Sequence, residues 1–239
     1  MITITNLTKY YGSLKAVDTV NLTIAENQVF ALLGVNGAGK TTTIKMLTGL
    51  TAKDDGTIYY DHLNVDTDLA KIKHIINISP QETAIAENLT VLENIIFVAQ
   101  IYGIDKLQAQ KSCQDLLEQF DLVDVANKLA RTLSGGTKRR LSIAMALVSR
   151  PKVLFLDEPT LGVDVLQRKQ LWELIETLKR QATIVLTTHY MEEAEYLADN
   201  VAVMSHGKIV AVGTPKQLMA QTQTSTLEQA FVKIVEESV

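Results

Sequence analysis

The chain has 239 residues, of which 46% are hydrophobic and 21% charged, and its formal net charge is −4. A chain of this length can bury a substantial core without crosslinks, and the net negative charge gives no electrostatic reason to expect a nucleic acid partner. No segment approaches the roughly 18 consecutive apolar residues of a transmembrane helix, and the N-terminus lacks a secretory signal pattern. We therefore expect no direct membrane insertion. The single cysteine, Cys113, favours a reducing compartment and a packed core thiol.

Strand patterns dominate the first third of the chain. Val20, Leu22 and Ile24 alternate with polar residues, and Val29–Leu33 is an apolar run typical of a strand buried on both faces. A glycine-rich loop follows this run, and apolar residues then recur at helical spacing. Residues 57–60 form a further short β segment after a turn.

The middle of the chain, about residues 84–150, is predicted to be a helical insertion. Thr90 and Glu93 form a capping-box pattern ahead of the first helix. A second amphipathic helix carries Cys113, and a third begins after Ser134.

The last third returns to an alternation of strands and helices. Residues 153–156 and Thr183–Thr188 are apolar strands, and residues 205–207 indicate a hairpin turn. This alternation predicts an α/β fold with a mainly parallel sheet, to which a β-rich beginning and the helical middle are added.

Residues 34–41 match the Walker A pattern of glycine, four residues and Gly-Lys-Thr. Glycines let backbone amides face phosphate oxygens, Lys40 would reach the β and γ phosphates, and the Thr41 hydroxyl would ligate Mg²⁺. A glycine turn with an incidental lysine is the alternative, but the buried strand before and the helix after favour a phosphate loop. The loop alone does not distinguish between nucleotide hydrolases and kinases. The predicted nucleotide-binding residues here are Gly34, Val35, Asn36, Gly37, Ala38, Gly39, Lys40, Thr41 and Thr42.

Asp157 and Glu158 follow the strand at 153–156, as in a Walker B motif. A carboxylate at the end of a parallel strand lies beside the phosphate loop, where Asp157 could hold Mg²⁺. Glu158 suits a general base that orients the attacking water. The alternative, a surface acidic pair, is weakened by the phosphate loop earlier in the chain.

Ser134, Gly135 and Gly136 indicate a second anion site, because a serine and two glycines open a helix there. Two phosphate sites in one chain suggest that each ATP is held by two subunits. A routine serine N-cap is the alternative and would be favoured if this tripeptide stood alone.

Together these motifs resemble the ATP-binding-cassette (ABC) ATPase family over essentially the whole chain. Residues 133–136 match the family's signature motif, although Thr137 stands where glutamine is commonest. The resemblance implies one ABC nucleotide-binding domain over residues 1–239 with a P-loop NTPase (RecA-like) core, an N-terminal antiparallel β subdomain and the helical insertion. It also implies ATP and Mg²⁺ as cofactors and a homodimer that closes on ATP.

Four further site residues are implied only by this resemblance. Gln81 would contact Mg²⁺ and the attacking water and couple to the membrane partner. Asp164 would cross the dimer interface, and His189 would contact the γ-phosphate and act with Glu158 and Lys40 in catalysis. Tyr11 would stack on adenine, with a surface-strand tyrosine as its alternative.

Three stretches are similar to subunits that serve ABC-2-type exporters, namely residues 81–94, 188–195 and 225–231. This similarity implies a transmembrane permease partner and a peripheral position on the cytoplasmic face of the cell membrane. A soluble ABC-type ATPase acting as a non-transport regulator remains the alternative. The basic run 138–140 is predicted to be a solvated helix face, with contacts across a dimer as the sharper alternative.

Overall fold

The computed structural model describes residues 1–238, and of residues 106–112 only the backbone; Val239, the last residue of the predicted domain, lies outside the described residues. The strands are β1 (Ile2–Tyr11), β2 (Leu14–Ile24), β3 (Val29–Leu33), β4 (Asp55–Tyr60), β5 (Leu63–Asn64), β6 (Ile76–Ser79), β7 (Val153–Asp157), β8 (Thr183–Thr188), β9 (Asn200–Ser205) and β10 (Lys208–Gly213). The helices are α1 (Lys40–Leu47), α2 (Val65–Ile72), α3 (Val91–Ile101), α4 (Lys106–Gln119), α5 (Gly135–Leu147), α6 (Val165–Leu178), α7 (Met191–Leu197), α8 (Pro215–Thr222) and α9 (Leu227–Glu237). Within residues 1–238, no helix is both long enough and apolar enough to cross a membrane.

Two sheets form the centre of the molecule. The larger has six strands in the order β10-β9-β3-β8-β7-β6, and all of its pairings are parallel except that of the edge strand β10 with β9. The smaller has four antiparallel strands in the order β2-β1-β4-β5. The predicted parallel α/β core and the N-terminal antiparallel part are therefore confirmed.

Strand β3 shows why its sequence is apolar throughout. Val29, Ala31 and Leu33 join a hydrophobic cluster that includes helices α3 and α5, whereas Phe30 and Leu32 join a second cluster with the four-stranded sheet. Side chains alternate between the two faces of a strand, so a strand covered on both faces needs apolar residues at every position.

The helical middle of the chain forms as its sequence indicates. Thr90 Oγ1 accepts a hydrogen bond from the Glu93 amide at 3.2 Å, and the Glu93 carboxylate accepts one from the Thr90 amide at 2.8 Å. This capping box begins α3. Buried residues of α3, α4 and α5 belong to the cluster that covers one face of the six-stranded sheet. The boundaries of a separate subdomain at about 84–150 stay a prediction.

Parallel strands bring the predicted site residues to one edge of the sheet. Strands β3, β7 and β8 lead directly into Gly34, Glu158 and His189, and β6 ends two residues before Gln81. Because the carboxyl ends of parallel strands share an edge, these four segments meet in space.

The thiol of Cys113 provides a test of this packing. Its side chain is fully buried, and burial raises the pKa of the thiol to about 11. Because the thiolate is the reactive form, we expect Cys113 to react with a chromogenic disulfide reagent roughly a hundredfold more slowly in the native than in the denatured protein. The chain has one cysteine, so the absorbance reports this residue alone. Equal rates in both states would contradict the packing described here.

Candidate active site

The loop between β3 and α1 needs glycine at three positions. Gly37 and Gly39 have φ angles of 82° and 106°, in the left-handed region that other residues rarely adopt. A Cβ atom on Gly34 would lie 2.4 Å from the Met204 carbonyl oxygen, so this residue is glycine because the neighbouring strand is close. The loop therefore curls back tightly, and Val35, Asn36 and Gly37 at its tip are exposed.

Lys40 lies under this loop with its ammonium group held on three sides. Its Nζ donates to the carbonyl oxygens of Gly34 at 2.8 Å and Val35 at 3.2 Å. Glu158 Oε1 lies 3.3 Å from the same Nζ, and both side chains are almost completely buried. The Glu158 carboxylate is thus placed to neutralise the ammonium charge of the lysine that the sequence predicts to bind phosphate.

Asp157 lies at the base of the cavity beside two threonines. Its Oδ1 accepts hydrogen bonds from Thr41 Oγ1 at 3.1 Å and from Thr187 Oγ1 at 2.5 Å. Adjacent oxygens around an octahedral Mg²⁺ are about 3 Å apart, so Thr41 and Asp157 fit two positions of such a shell. Within the described residues no cluster of three or more His, Cys, Asp or Glu could hold a metal. The other ligands would come from phosphates and water, as is usual for Mg²⁺.

Glu158 adopts a strained backbone that aims its carboxylate into the cavity. Its φ of 49° is in the left-handed region, which is uncommon for residues other than glycine and clusters at functional sites. The Glu158 amide donates to Thr187 Oγ1 at 3.0 Å, and its Oε2 lies 2.6 Å from His189 Nδ1. One carboxylate thus contacts both Lys40 and His189.

The cavity around these groups has a volume of about 610 Å³. The predicted residues that line it are Tyr11, Asn36, Gly37, Gly39, Lys40, Thr41, Thr42, Gln81, Glu158 and His189. Gly34, Val35 and Ala38 belong to the loop without lining the cavity, and Asp157 contacts it through Thr41. Sequence analysis missed six lining residues, which are Leu14, Lys15, Ala16, Leu161, His206 and Gly207.

The β9–β10 hairpin accounts for the last two of the missed residues. The Gly207 amide donates to the Ala38 carbonyl at 3.0 Å, and the Gly207 carbonyl accepts from the Asp18 amide at 2.8 Å. The hairpin therefore braces the phosphate loop against β2. Its turn residues were predicted from the sequence, but their place beside the loop depends on the strand order.

Four predicted site residues lie away from this cavity. Ser134 caps α5, with its Oγ accepting from the Thr137 amide at 3.3 Å, and Gly135 and Gly136 form the first turn. Asp164 caps α6, accepting two backbone amides at 3.0 Å each. The simple N-cap interpretation therefore describes Ser134 within one chain, and none of the four reaches the cavity of its own chain.

The two glycines of this turn have different surroundings. A Cβ atom on Gly136 would lie 1.8 Å from Oε1 and 2.8 Å from Cδ of Gln167, so Gly136 permits close packing of α5 on α6. A Cβ atom on Gly135 would meet nothing within 4 Å, and Gly135 is exposed. Packing within the chain explains the second glycine and leaves the first unexplained.

The prediction of a solvated face at 138–140 is wrong for Arg139. This side chain is only 3% exposed. Its guanidinium donates to the carbonyl oxygens of Pro80 at 2.7 Å, Gln81 at 2.9 Å and Glu158 at 3.0 Å. Desolvation lowers the pKa of Arg139 from its ordinary value. Its two neighbours in the run form ion pairs with exposed carboxylates.

Glu193, on the helix α7 that follows His189, is a further buried acidic side chain. Its Oε1 accepts from Thr160 Oγ1 at 2.8 Å and from Trp172 Nε1 at 3.0 Å. Desolvation raises the pKa of this carboxyl above its ordinary value. The contact joins the helix that follows His189 to the segment that follows Glu158.

This arrangement of phosphate loop, carboxylate strand and histidine is that of a P-loop ATPase. Residues 17–161 match the family model described as ABC transporter. Over all 239 residues the chain is 36% identical to the linearmycin resistance ATP-binding protein LnrL of Bacillus subtilis, of which it spans 77%. The chain belongs to the ABC transporter family, as its ATP-binding component.

Two more comparisons concern size and assembly. The chain is 41% identical to human phospholipid-transporting ATPase ABCA3 over 199 residues, which are 83% of this chain but 12% of that protein. A solved dimer of an ATP-binding cassette in a post-hydrolysis state, bound to ADP and Pi, matches with a TM-score of 0.81 at 25% identity. That match covers 90% of this chain and 98% of the solved one. The chain thus matches a small part of ABCA3 and nearly the whole of the solved cassette.

The contact between Lys40 and Glu158 predicts an effect on nucleotide affinity. Phosphate must displace the Glu158 carboxylate from Lys40, and the two anions repel each other. We therefore expect Glu158→Gln to bind ATP at least about threefold more tightly than the wild type. A calorimetric titration measures this, with Glu192→Gln, an exposed carboxylate on α7, as the matched control. Unchanged or weaker binding by Glu158→Gln would contradict the role given to this ion pair.

Proposed function

We propose that this chain binds ATP with Mg²⁺, closes as a homodimer and hydrolyses the ATP to drive export through a separate transmembrane permease. The observation that carries the proposal is the single carboxylate of Glu158, which lies 3.3 Å from Lys40 and 2.6 Å from His189 at the mouth of the phosphate loop. A buried carboxylate in contact with both groups suits a general base, a role that nucleotide binding alone does not require.

The groups of the cavity suit phosphoryl transfer to water. This reaction depends mainly on positioning and on stabilising charge on the γ-phosphate. Lys40 and His189 would supply positive charge and hydrogen bonds to that phosphate, and Glu158 would accept a proton from the attacking water. Thr41, Asp157 and Gln81 would hold Mg²⁺, which neutralises phosphate charge when bound, and Tyr11 would stack on adenine.

A second copy of the chain would complete the site. Helix α5 opens with Ser134 and the exposed Gly135, and the amino-terminal end of this helix would form an anion site that the chain's own cavity does not use. Asp164 caps α6, and Gln167 in the first turn of that helix packs against Gly136. The similarity to a solved cassette dimer bound to ADP and Pi supports an arrangement in which these residues approach the nucleotide of the partner.

A groove beside Gln81 suits a permease. It has a volume of about 510 Å³ and lies between the end of α1, strand β6 and the end of α3. Its lining is largely apolar, and Leu50 and Ile101 are 61% and 66% exposed. Ile76, Asn77 and Ile78 of β6 line this groove, and Gln81 follows two residues after the end of the strand, so a permease segment docked here would be close in the chain to the active site.

Export is favoured by the names of the relatives. LnrL is named for resistance to linearmycin and ABCA3 for phospholipid transport. The ATP-binding component of a transporter can confer resistance to a compound by powering its removal from the cell. We therefore place the chain on the cytoplasmic face of the membrane, attached through its permease.

The first test is Mg²⁺-dependent ATP hydrolysis by the purified chain, with oligomeric state followed by light scattering. We expect the wild type to dimerise with ATP and to hydrolyse it. Gly135→Ala should fold at least as stably, since alanine is favoured in a helix by about 1 kcal/mol. Its methyl group would lie on the face that meets the partner's phosphate, so dimerisation and hydrolysis should fall by about tenfold or more.

Gly136→Ala is the contrasting variant, because its methyl group would meet the flexible end of the Gln167 side chain within its own chain. A wild type that neither binds nor hydrolyses ATP would contradict the proposed function. A fully active Gly135→Ala would contradict only the part of the proposal that places the site between two chains.

The groove gives a separate prediction about the permease. Leu50→Glu places a charge on an exposed apolar wall, so the variant should fold normally and fail to co-purify with the permease from detergent extracts. Val212→Glu makes the same change at a residue 48% exposed on the edge strand β10 and should still co-purify. Normal co-purification of Leu50→Glu would exclude this groove as the docking surface.

A further inference from the structure

The contacts of Arg139 are not needed to stabilise its own charge or helix α5. It lies in the second turn of α5, and its guanidinium is directed into the protein. Nη1 donates to Pro80 O, and Nη2 donates to Gln81 O and Glu158 O, at distances of 2.7 to 3.0 Å. All three acceptors are main-chain carbonyls, so the contact fixes backbone positions.

Only an arginine can make this set of contacts at this position. Its planar guanidinium has five N–H donors in a fixed arrangement, whereas a lysine ammonium is a point charge that cannot span separated acceptors in the same way. Burying the charge costs free energy, and the nearby carboxylates of Asp157, Glu158 and Glu193 offset part of it. A buried charge of this kind is weak evidence for a stabilising role.

The three carbonyls belong to two segments that carry catalytic groups. Pro80 and Gln81 follow β6, and Glu158 follows β7. The side chains of Gln81 and Glu158 both line the nucleotide cavity. The guanidinium is therefore a shared anchor for the amide that would contact Mg²⁺ and water and for the carboxylate that would accept the proton.

We propose that Arg139 is a positioning residue that fixes Gln81 and Glu158 relative to each other and to helix α5, an inference that rests on the proposed function. Ser134, at the start of α5, lies five residues before Arg139, a rise of about 7.5 Å along one rigid helix. Movement of α5 against a partner's nucleotide therefore shifts Gln81 and Glu158 of its own chain. Arg139 links the two nucleotide sites of the dimer in this way.

The test compares Arg139→Lys with Arg140→Lys, the same substitution at the next residue, whose side chain pairs with Asp121 and Gln170 on the surface. A lysine at this position cannot donate to all three carbonyl oxygens, so the catalytic groups are misplaced while the phosphate loop is unchanged. We expect kcat of Arg139→Lys to fall by about tenfold to a hundredfold with KM for ATP changed by less than about threefold. Arg140→Lys should keep the wild-type kcat within about twofold.

A double-mutant cycle with Gln81→Ala separates positioning from a general structural effect. If Arg139 acts through Gln81 as well as through Glu158, Arg139→Lys should lower kcat by a clearly smaller factor once Gln81 is alanine than it does in the wild type. If the two effects simply multiply, Arg139 does not act through Gln81 and the proposal is wrong.

Hydrogen–deuterium exchange gives a readout that does not need hydrolysis. In Arg139→Lys, amides of residues 81–85 should exchange at least about threefold faster, and amides of β1 and β2 should not change. Unchanged exchange at 81–85, a uniform rise over the whole chain, or failure of the variant to fold would each overturn the proposal. An inactive wild type would contradict the proposed function, while the exchange result would still decide whether Arg139 holds this loop.

Discussion

The parallel pairing of β3, β8, β7 and β6 is the constraint on which the site depends. Each strand ends at the same edge of the sheet, and each is followed by a segment that carries one part of the chemistry. The register pairs Leu33 with Thr188 and Asp157 with Thr187, which brings the phosphate loop, the two carboxylates and His189 within hydrogen-bonding distance. The separation of these groups follows in the first place from the spacing of the strands. The apolar residues on both faces of these strands hold the edge in place.

The site that the sheet assembles is only one part of the catalytic arrangement. Lys40 and Glu158 satisfy each other's charge, so the nucleotide has to replace an existing contact. The start of α5, the proposed anion site, lies outside the cavity of its own chain, and a Cβ atom on its exposed Gly135 would meet nothing within 4 Å. The proposed function joins these two facts: a completed site would require both a nucleotide and a second subunit. Arg139 relates the two parts, because it lies on α5 and holds the main chain beside both catalytic segments.

Short-range sequence signals predicted much of this structure. The capping box at Thr90, the apolar run of β3 and the glycines of the phosphate loop each depend on residues close in the sequence, and each is seen in the structure. The helices α2, α7, α8 and α9 were not predicted, because they are short or lie close to the C-terminus without a long apolar repeat. The burial of Arg139 could not be predicted, because its three acceptors lie up to 59 residues away in the sequence. The same reason explains why the hairpin at Gly207 was predicted without its contact to the phosphate loop.

The central claim is that each ATP is hydrolysed between the phosphate loop of one chain and the start of α5 of another. The most direct measurement is the ATPase activity of Lys40→Met and Gly135→Glu, each alone and mixed in equal amounts. Each variant alone destroys both sites of a symmetric dimer, so each should be inactive. In the mixture, about half of the dimers contain one copy of each variant. Such a dimer has one intact site, formed by the phosphate loop of the Gly135→Glu chain and the start of α5 of the Lys40→Met chain. Activity should therefore reach about a quarter of the wild-type value. A mixture no more active than its components, or full activity of Gly135→Glu alone, would contradict the account.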